Sequence, residues 1–326
     1  MHITIPQRSN VPETEIFSKI LRKKATENLS WDRDVMVLIH GGPGGNHTIY
    51  ADIENDLLEM ADLIIIDLRG CGLSRKSEVQ YCTLEANIDD IDAILKVLNV
   101  NNPIIHGCSY GAIVALGYSI KYPDNISKLI LSSGAASGNF IKSAKRNLKR
   151  LGTPEQIEAA KTLWSGTFKS PEQFSKYYKI MASLYIYSKE QANIPPANAE
   201  SIPYNVELVN FAFTVFLPVF DFREKLALVK PQTLIFSGKN DWIIDADQAE
   251  TLHNGIKNSI LISLKNCGHF PWKDRKTEFL SNIRLFLEKN NELYLQKWTP
   301  KMRQWCRIET IVVGVKNGSQ KVQFRI

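Results

Sequence analysis

A tight turn between a strand and a helix constrains this chain more than any other feature. Pro103 to His106 opens as a short apolar run suited to a buried strand. From Gly111 onward Ile113, Leu116 and Ile120 recur at helical spacing, until Tyr122 meets Pro123. Between the two lies Gly107-Cys108-Ser109-Tyr110-Gly111. A turn this sharp leaves no room for β-carbons two residues either side of its tip. Glycine is therefore needed at 107 and 111, and the serine hydroxyl is left exposed above the sheet. Gly-x-Ser-x-Gly alone occurs often by chance. Placed between a β-run and an amphipathic helix, it marks Ser109 as a candidate nucleophile.

The segments around this turn repeat one plan. Val35 to Ile39 is a continuous apolar run of the kind buried in a parallel sheet, and it empties into His40-Gly41-Gly42-Pro43-Gly44-Gly45. Such a loop could cradle phosphate, but no Gly-Lys-Ser/Thr follows and no GxGxxG opens a helix, which sets nucleotide binding aside. Leu63 to Ile66 is a second strand, running into Asp67-Leu68-Arg69-Gly70-Cys71-Gly72-Leu73-Ser74. Leu84, Ile88, Ile91, Ile94 and Leu95 predict a helix over 83–98, and Lys128 to Ser133 reads as another strand. This alternation predicts an α/β fold with a mostly parallel sheet flanked by helices.

From about 135 to 223 the alternation stops. The segment is rich in Lys, Tyr and Phe and predicts helices over 140–150, 155–166, 171–187 and 204–216, with Pro195-Pro196 separating the last two. A helical insertion between sheet strands is most economically a cap over the functional edge. Strands resume at Thr233–Ser237 and Ile260–Leu264, and a helix follows over 273–288. The first thirty residues are the least legible, with a strand at His2–Ile5 and a helix over 14–27. The expected division is a core of 1–134 and 224–289, a cap of 135–223 and an appended tail of 290–326. In that tail Thr310–Val315 and Gln320–Ile326 resemble a β-hairpin about Asn317-Gly318.

Charge argues against nucleic acid. The formal net charge is +6, but seven Lys or Arg against Glu292 and Glu309 put +5 of it in residues 290–326. The rest is close to neutral. Five cysteines without CxxC spacing suggest neither a disulfide framework nor a zinc site, and fit a reduced, cytoplasmic compartment. The N-terminus lacks a signal-peptide h-region, and no run approaches the roughly 18 apolar residues of a membrane span.

A serine hydroxyl is a poor nucleophile until a base takes its proton. Of six histidines, His2 and His47 lie in ill-defined or loop positions, His106 inside the strand before Ser109, and His253 in an expected helix. His269, in Asn266-Cys267-Gly268-His269-Phe270-Pro271-Trp272 directly after the final strand, emerges at the same sheet edge as Ser109 and is the preferred base. A carboxylate must fix its tautomer. Asp241, just past the preceding strand, suits that role, with Asp245 as competitor. An oxyanion would need backbone N–H donors, expected from Tyr110 and from the glycine loop at Gly42.

With these residues in place, the chain resembles the proline iminopeptidase branch of the α/β-hydrolase family. The matching segments are HGGPGG at 40–45, DLRGCGLS at 67–74, GCSYG at 107–111, GKND at 238–241 and GHFPW at 268–272, in the right order across residues 33–288. The resemblance implies a Ser109–His269–Asp241 triad, loops braced by Asp67 and Arg69, and release of an N-terminal residue, often proline, from short peptides. It implies no metal and no cofactor. It also implies cap acidic residues that hold the substrate's amino group, for which Glu207 is the best candidate. The family's usual GGSWG or GGSYG is GCSYG here, with Cys108 small enough to fit the turn. A carboxylesterase or lactonase using the same triad, and a non-catalytic binding protein of the same fold, are the alternatives.

Overall fold

The structure is a computed structural model that describes residues 1–24, 30–192 and 202–288, together with the backbone of 310–316 and 319–325. The strands are β1 (His2–Ile5), β2 (Thr14–Leu21), β3 (Val35–Ile39), β4 (Asp62–Ile66), β5 (Ile104–Cys108), β6 (Lys128–Ser132), β7 (Gln232–Gly238), β8 (Ser259–Leu264), β9 (Thr310–Lys316) and β10 (Ser319–Arg325). They form one sheet in the order β1-β2-β4-β3-β5-β6-β7-β8-β10-β9. From β4 to β8 all neighbours are parallel, with Val37 opposite both Ile64 and Ile105 and Ser132 opposite Phe236. Every residue of β3, β4 and β5 is buried, as expected of parallel strands covered on both faces.

The helices are α1 (Glu54–Leu58), α2 (Leu84–Val97), α3 (Tyr110–Lys121), α4 (Phe140–Leu151), α5 (Pro154–Ser165), α6 (Pro171–Tyr185), α7 (Lys189–Ala192), α8 (Val206–Phe211), α9 (Ala246–Gly255), α10 (Pro271–Asp274) and α11 (Lys276–Leu287). Thr153 begins α5 with a capping box, its hydroxyl accepting from the Gln156 N–H while Gln156 accepts from the Thr153 N–H. The segment expected as one helix over 204–216 runs as α8 and then widens into a π-helical turn at Ala212–Phe216.

One expectation is corrected. The span 14–27 is not a helix: Thr14–Leu21 is the strand β2, antiparallel to β1 (Ile3 opposite Ile16) and to β4 (Ile20 opposite Ile64). Thr14, Ile16 and Ser18 are buried while Glu15, Phe17 and Lys19 are half-buried, the period of two that belongs to a strand. Residues 25–27 of that span lie outside the described residues. So do the Pro195-Pro196 break and the Asn317-Gly318 turn. Beside that turn, β9 and β10 pair antiparallel and β10 meets β8 in parallel.

Among the described residues, no helix is long and apolar enough to cross a membrane. None of their His, Cys, Asp or Glu side chains group in threes or more suited to a metal ion.

Candidate active site

The sheet order places the site. The chain passes from β3 to β4 on one side, then crosses back to lay β5 on the other side of β3. Outside the carboxyl ends of β3 and β5 the connections therefore diverge, leaving the crevice where ligands bind in open α/β sheets. His40, Asp67, Ser109, Ser133 and His269 follow β3, β4, β5, β6 and β8 in turn, and Asp241 follows β7. Parallel pairing brings them all to one edge.

Ser109 is the N-cap of α3, with φ 56° and ψ −120°. A non-glycine residue there is strained by about 1–3 kcal/mol and persists only where its surroundings fix it. The glycines supply the fixing. A β-carbon on Gly107 would lie 2.1 Å from the Gly111 carbonyl oxygen, and one on Gly111 would lie 2.1 Å from the Ile39 oxygen. Gly41 packs against Ser109 itself, its missing β-carbon falling 3.0 Å from the Ser109 Cβ. The adjacent Cys108 is fully buried, and burial pushes its thiol well above the ordinary range, so it stays protonated.

Two residues with backbone amides unpaired among the described residues, Gly42 and Tyr110, line the same cavity. Tyr110 is the first residue of α3, so its N–H has no partner within the helix, and the helix dipole adds positive potential there. Gly42 adopts φ +58°, and its N–H likewise donates to no group among the described residues. The glycine loop is held from behind by His40, whose Nδ1 lies 3.0 Å from the Gly41 oxygen and whose Nε2 accepts from the Leu68 N–H at 3.0 Å. Those partners define a neutral imidazole, and burial lowers its pKa accordingly.

Asp67 ties the two loops together. Its carboxylate accepts from the His47 N–H at 2.6 Å and the Leu73 N–H at 2.8 Å, and contacts the His47 ring. Gly72 leaves the space it fills, since a β-carbon there would lie 2.1 Å from Oδ2. Arg69 makes a bidentate pair with Asp90, both bonds 2.8 Å, and donates to the Pro12 oxygen at 2.9 Å.

His269 and Asp241 meet directly: Nδ1 lies 2.7 Å from Oδ2, with both side chains buried. The other carboxylate oxygen accepts from the Ile243 and Ile244 N–H groups, each at 3.0 Å. Asp245 is occupied elsewhere, accepting from Asn147 at 3.0 Å and Gln248 at 3.2 Å. Ser109, His269, Gly42 and Tyr110 all line one cavity. Among the described residues no hydrogen bond joins the Ser109 hydroxyl to His269 in this structure. Contacts of this kind often tighten only when substrate is bound.

The helices between β6 and β7 supply the facing wall, including Phe140, Leu163, Phe174, Tyr177, Tyr178 and Tyr185. They are pinned to the sheet edge on both sides. The Tyr185 oxygen accepts the His269 N–H at 2.7 Å and leaves no room for a β-carbon on Gly268. Asp274 accepts from the N–H groups of Gly268, Tyr187 and Ser188 at 2.8 to 3.0 Å. Asn205 donates its N–H to the Gly44 oxygen at 2.9 Å and its side chain to the Gly70 oxygen at 2.8 Å.

Glu207 does not join this group. In α8, Val206, Leu208 and Val209 turn inward and Glu207 is left exposed, outside the cavity lining. Sequence reasoning missed the aromatic wall, Asp274, Asn205 and the Asp67 contact of His47. For the wall a signal existed: Phe174, Tyr177, Tyr178, Met181 and Tyr185 recur at three- and four-residue steps along α6. The other three act through long-range backbone contacts that no local pattern encodes.

A buried imidazole held on one side by a carboxylate, beside an elbow serine and two free amides, can support acyl transfer. The sequence model described as "alpha/beta hydrolase fold" matches residues 34–275. A proline iminopeptidase of Thermoplasma volcanium is 28% identical over 270 residues, covering 78% of this chain and 89% of that protein. One from Pestalotiopsis fici is 29% identical over 265 residues, covering 79% and 93%. The crystal structure of proline iminopeptidase from Mycobacterium smegmatis matches with a TM-score of 0.67 at 17% identity, covering 91% of this chain and 99% of that one. The chain belongs to the α/β-hydrolase fold family, as one of its enzymes.

Proposed function

We propose that the protein is a serine hydrolase working through an acyl-enzyme, with Ser109 as nucleophile, His269 as base and Asp241 as the group that orients it. The observation that carries this is the 2.7 Å contact between His269 and Asp241 at the cavity where Ser109 emerges. The contact fixes the proton on Nδ1, so Nε2 is free to take the Ser109 proton as Oγ attacks the carbonyl carbon. Negative charge then develops on the carbonyl oxygen, where the Gly42 and Tyr110 N–H groups would receive it. The tetrahedral species collapses, the bond to the leaving group breaks, and that group takes the proton from His269. Water, deprotonated by the same imidazole, then attacks the acyl-Ser109 ester and releases the acid.

The helical segment 135–223 serves as a cap over a core of 1–134 and 224–289, with 290–326 appended. Supporting this, four of the cap's helices contribute side chains to the cavity wall. The buried free cysteines Cys71, Cys82, Cys108 and Cys267 fit a reduced, cytoplasmic setting.

Two reactions fit this machinery. The named relatives support release of an N-terminal residue of the proline type from short peptides. A carboxylesterase or lactonase reaction is favoured by a specific observation: among the described residues, the cavity lining holds no carboxylate. A fluorophosphonate probe tests the shared part. It should label Ser109 in the wild type and leave the Ser109→Ala protein unmodified; absence of labelling on folded wild-type protein would reject the hydrolase reading.

A further inference from the structure

The wall opposite Ser109 is built from aromatic rings in mutual contact. Tyr178 stacks on Tyr185 with centroids 5.0 Å apart and planes 11° off parallel, and Phe174 lies 4.7 Å from Tyr204. Tyr185 also meets the His269 ring edge to face at 5.5 Å. Tyr204 comes over the glycine loop, its Cε1 3.9 Å from where a Gly42 β-carbon would stand. Ile113, Leu163, Val209, Phe213 and Leu217 complete an apolar enclosure. Among the described lining residues there is no Asp, Glu, Lys or Arg.

The carboxylate that holds His269, Asp241, is already spent. One of its oxygens accepts from two backbone amides and the other faces His269. The tyrosines supply no anion in its place. Burial holds the Tyr178 and Tyr185 hydroxyls well above their ordinary pKa and pushes Tyr204 up to about 12. The hydroxyls of Tyr178 and Tyr204 have no hydrogen-bond partner among the described residues, so the wall offers neutral donors and acceptors.

We propose that this site selects uncharged acyl groups with an apolar or aromatic body, and discriminates against substrates carrying a free, protonated amino group beside the scissile carbonyl. This rests on the serine-hydrolase reading and narrows its substrate class. An ammonium group entering the enclosure would leave water without gaining a counter-charge from any described lining residue, and such uncompensated burial is strongly unfavourable. A cycloalkyl or aryl acyl group meets only apolar contact there, and an ether or carbonyl oxygen on it can accept from Tyr178 or Tyr204.

Methyl cyclopentanecarboxylate and proline methyl ester make the matched test. They share ring size, leaving group and reacting carbonyl, and differ in one ring methylene replaced by an ammonium. At pH 7 the carbocyclic ester should be turned over with kcat/KM at least ~100-fold higher, the scale set by the penalty for a buried unpaired charge. Phe213→Glu, which places a carboxylate in a half-exposed part of the wall, should narrow that ratio. Should that variant not fold, the wild-type ratio decides alone. Equal or faster turnover of the proline ester by wild type overturns the proposal. Fluorophosphonate labelling of the same preparation separates the two failures. Labelled Ser109 with a preference for the proline ester rejects this substrate class only, whereas unlabelled Ser109 rejects the hydrolase reading beneath it. If both esters turn over too slowly to rank, protection of Ser109 from the probe by cyclopentanecarboxamide over prolinamide gives the same ordering, and the reverse protection overturns it.

Discussion

The Asp241 carboxylate divides its two oxygens between different tasks: Oδ2 holds His269 Nδ1 at 2.7 Å, and Oδ1 accepts two backbone amides at 3.0 Å. The amides lock the carboxylate plane, and the plane in turn sets the imidazole. Replacing Asp241 with Asn keeps the shape but lets the side-chain amide donate to Nδ1, which favours the wrong tautomer. Turnover of a p-nitrophenyl ester by Asp241→Asn should fall ~10³–10⁴-fold, mostly in kcat. A loss smaller than tenfold would remove Asp241 from the proposed machinery.

Asp245 provides the contrast. Its partners are Asn147, Gln248 and, at 3.6 Å, Arg146, none of them at the cavity. Asp245→Asn should leave kcat within a few-fold of wild type and lower stability by about 1 kcal/mol through weakened hydrogen bonds. Steady-state kinetics beside a denaturant titration would show whether activity and stability separate this way.

Gly41 is predicted to be intolerant for a reason tied to activity. Alanine there would meet the Cys108 oxygen at 2.9 Å and the Ser109 Cβ at 3.0 Å, contacts that require the elbow to shift by tenths of an ångström. Misplacing a reacting group by about 1 Å can lower rates by about 10²-fold, so a shift of tenths of an ångström should cost several-fold. Gly41→Ala should therefore lose fluorophosphonate labelling rate well before it loses its folded circular dichroism spectrum. Unchanged labelling would show that the elbow accommodates the methyl group.

Arg69 and Asp90 test the bracing of the loops. Both are buried, joined by two 2.8 Å bonds, and Arg8 also pairs with Asp90. Arg69→Met leaves a buried carboxylate with only the partly exposed Arg8, and should destabilise by about 3–5 kcal/mol. Adding Asp90→Leu removes the stranded charge and should restore part of the loss. A double variant no better than the single one would mean that the pair contributes geometry rather than charge compensation.

His106 should set part of the acid sensitivity. It is fully buried against Tyr50 and Phe279, with Nε2 3.0 Å from the Ser132 hydroxyl, and burial lowers its pKa to about 3. The unfolded chain takes up this proton near pH 6.5 and the folded chain does not, so stability falls as pH drops from about 6.5 toward 3, by at most about 1.4 kcal/mol per unit. His106→Phe should flatten the decline in melting temperature between pH 6.5 and 4.5 relative to wild type. Parallel declines in the two proteins would assign the acid sensitivity to other groups.

The local sequence determined a good deal. Apolar runs at Val35–Ile39 and Ile104–His106 require buried strands, and the glycines at 107 and 111 require a sharp turn whatever the rest of the chain does. The placement of serine, aspartate and histidine after the parallel strands β5, β7 and β8 then puts all three at one sheet edge, because parallel strands share their carboxyl ends. The mixed apolar and charged residues of 14–27 suggest a helix, and only antiparallel pairing with β1 and β4 makes Thr14–Leu21 a strand. What tertiary structure alone decided was which of two nearby aspartates faces His269, and which face of α8 turns inward. Those choices depend on partners far apart in the chain, such as the Tyr185 oxygen on His269 and Asn205 on the glycine loop. The same packing left Glu207 in solvent and filled the cavity with rings, because a helix buries its apolar stripe first and leaves its charges to water.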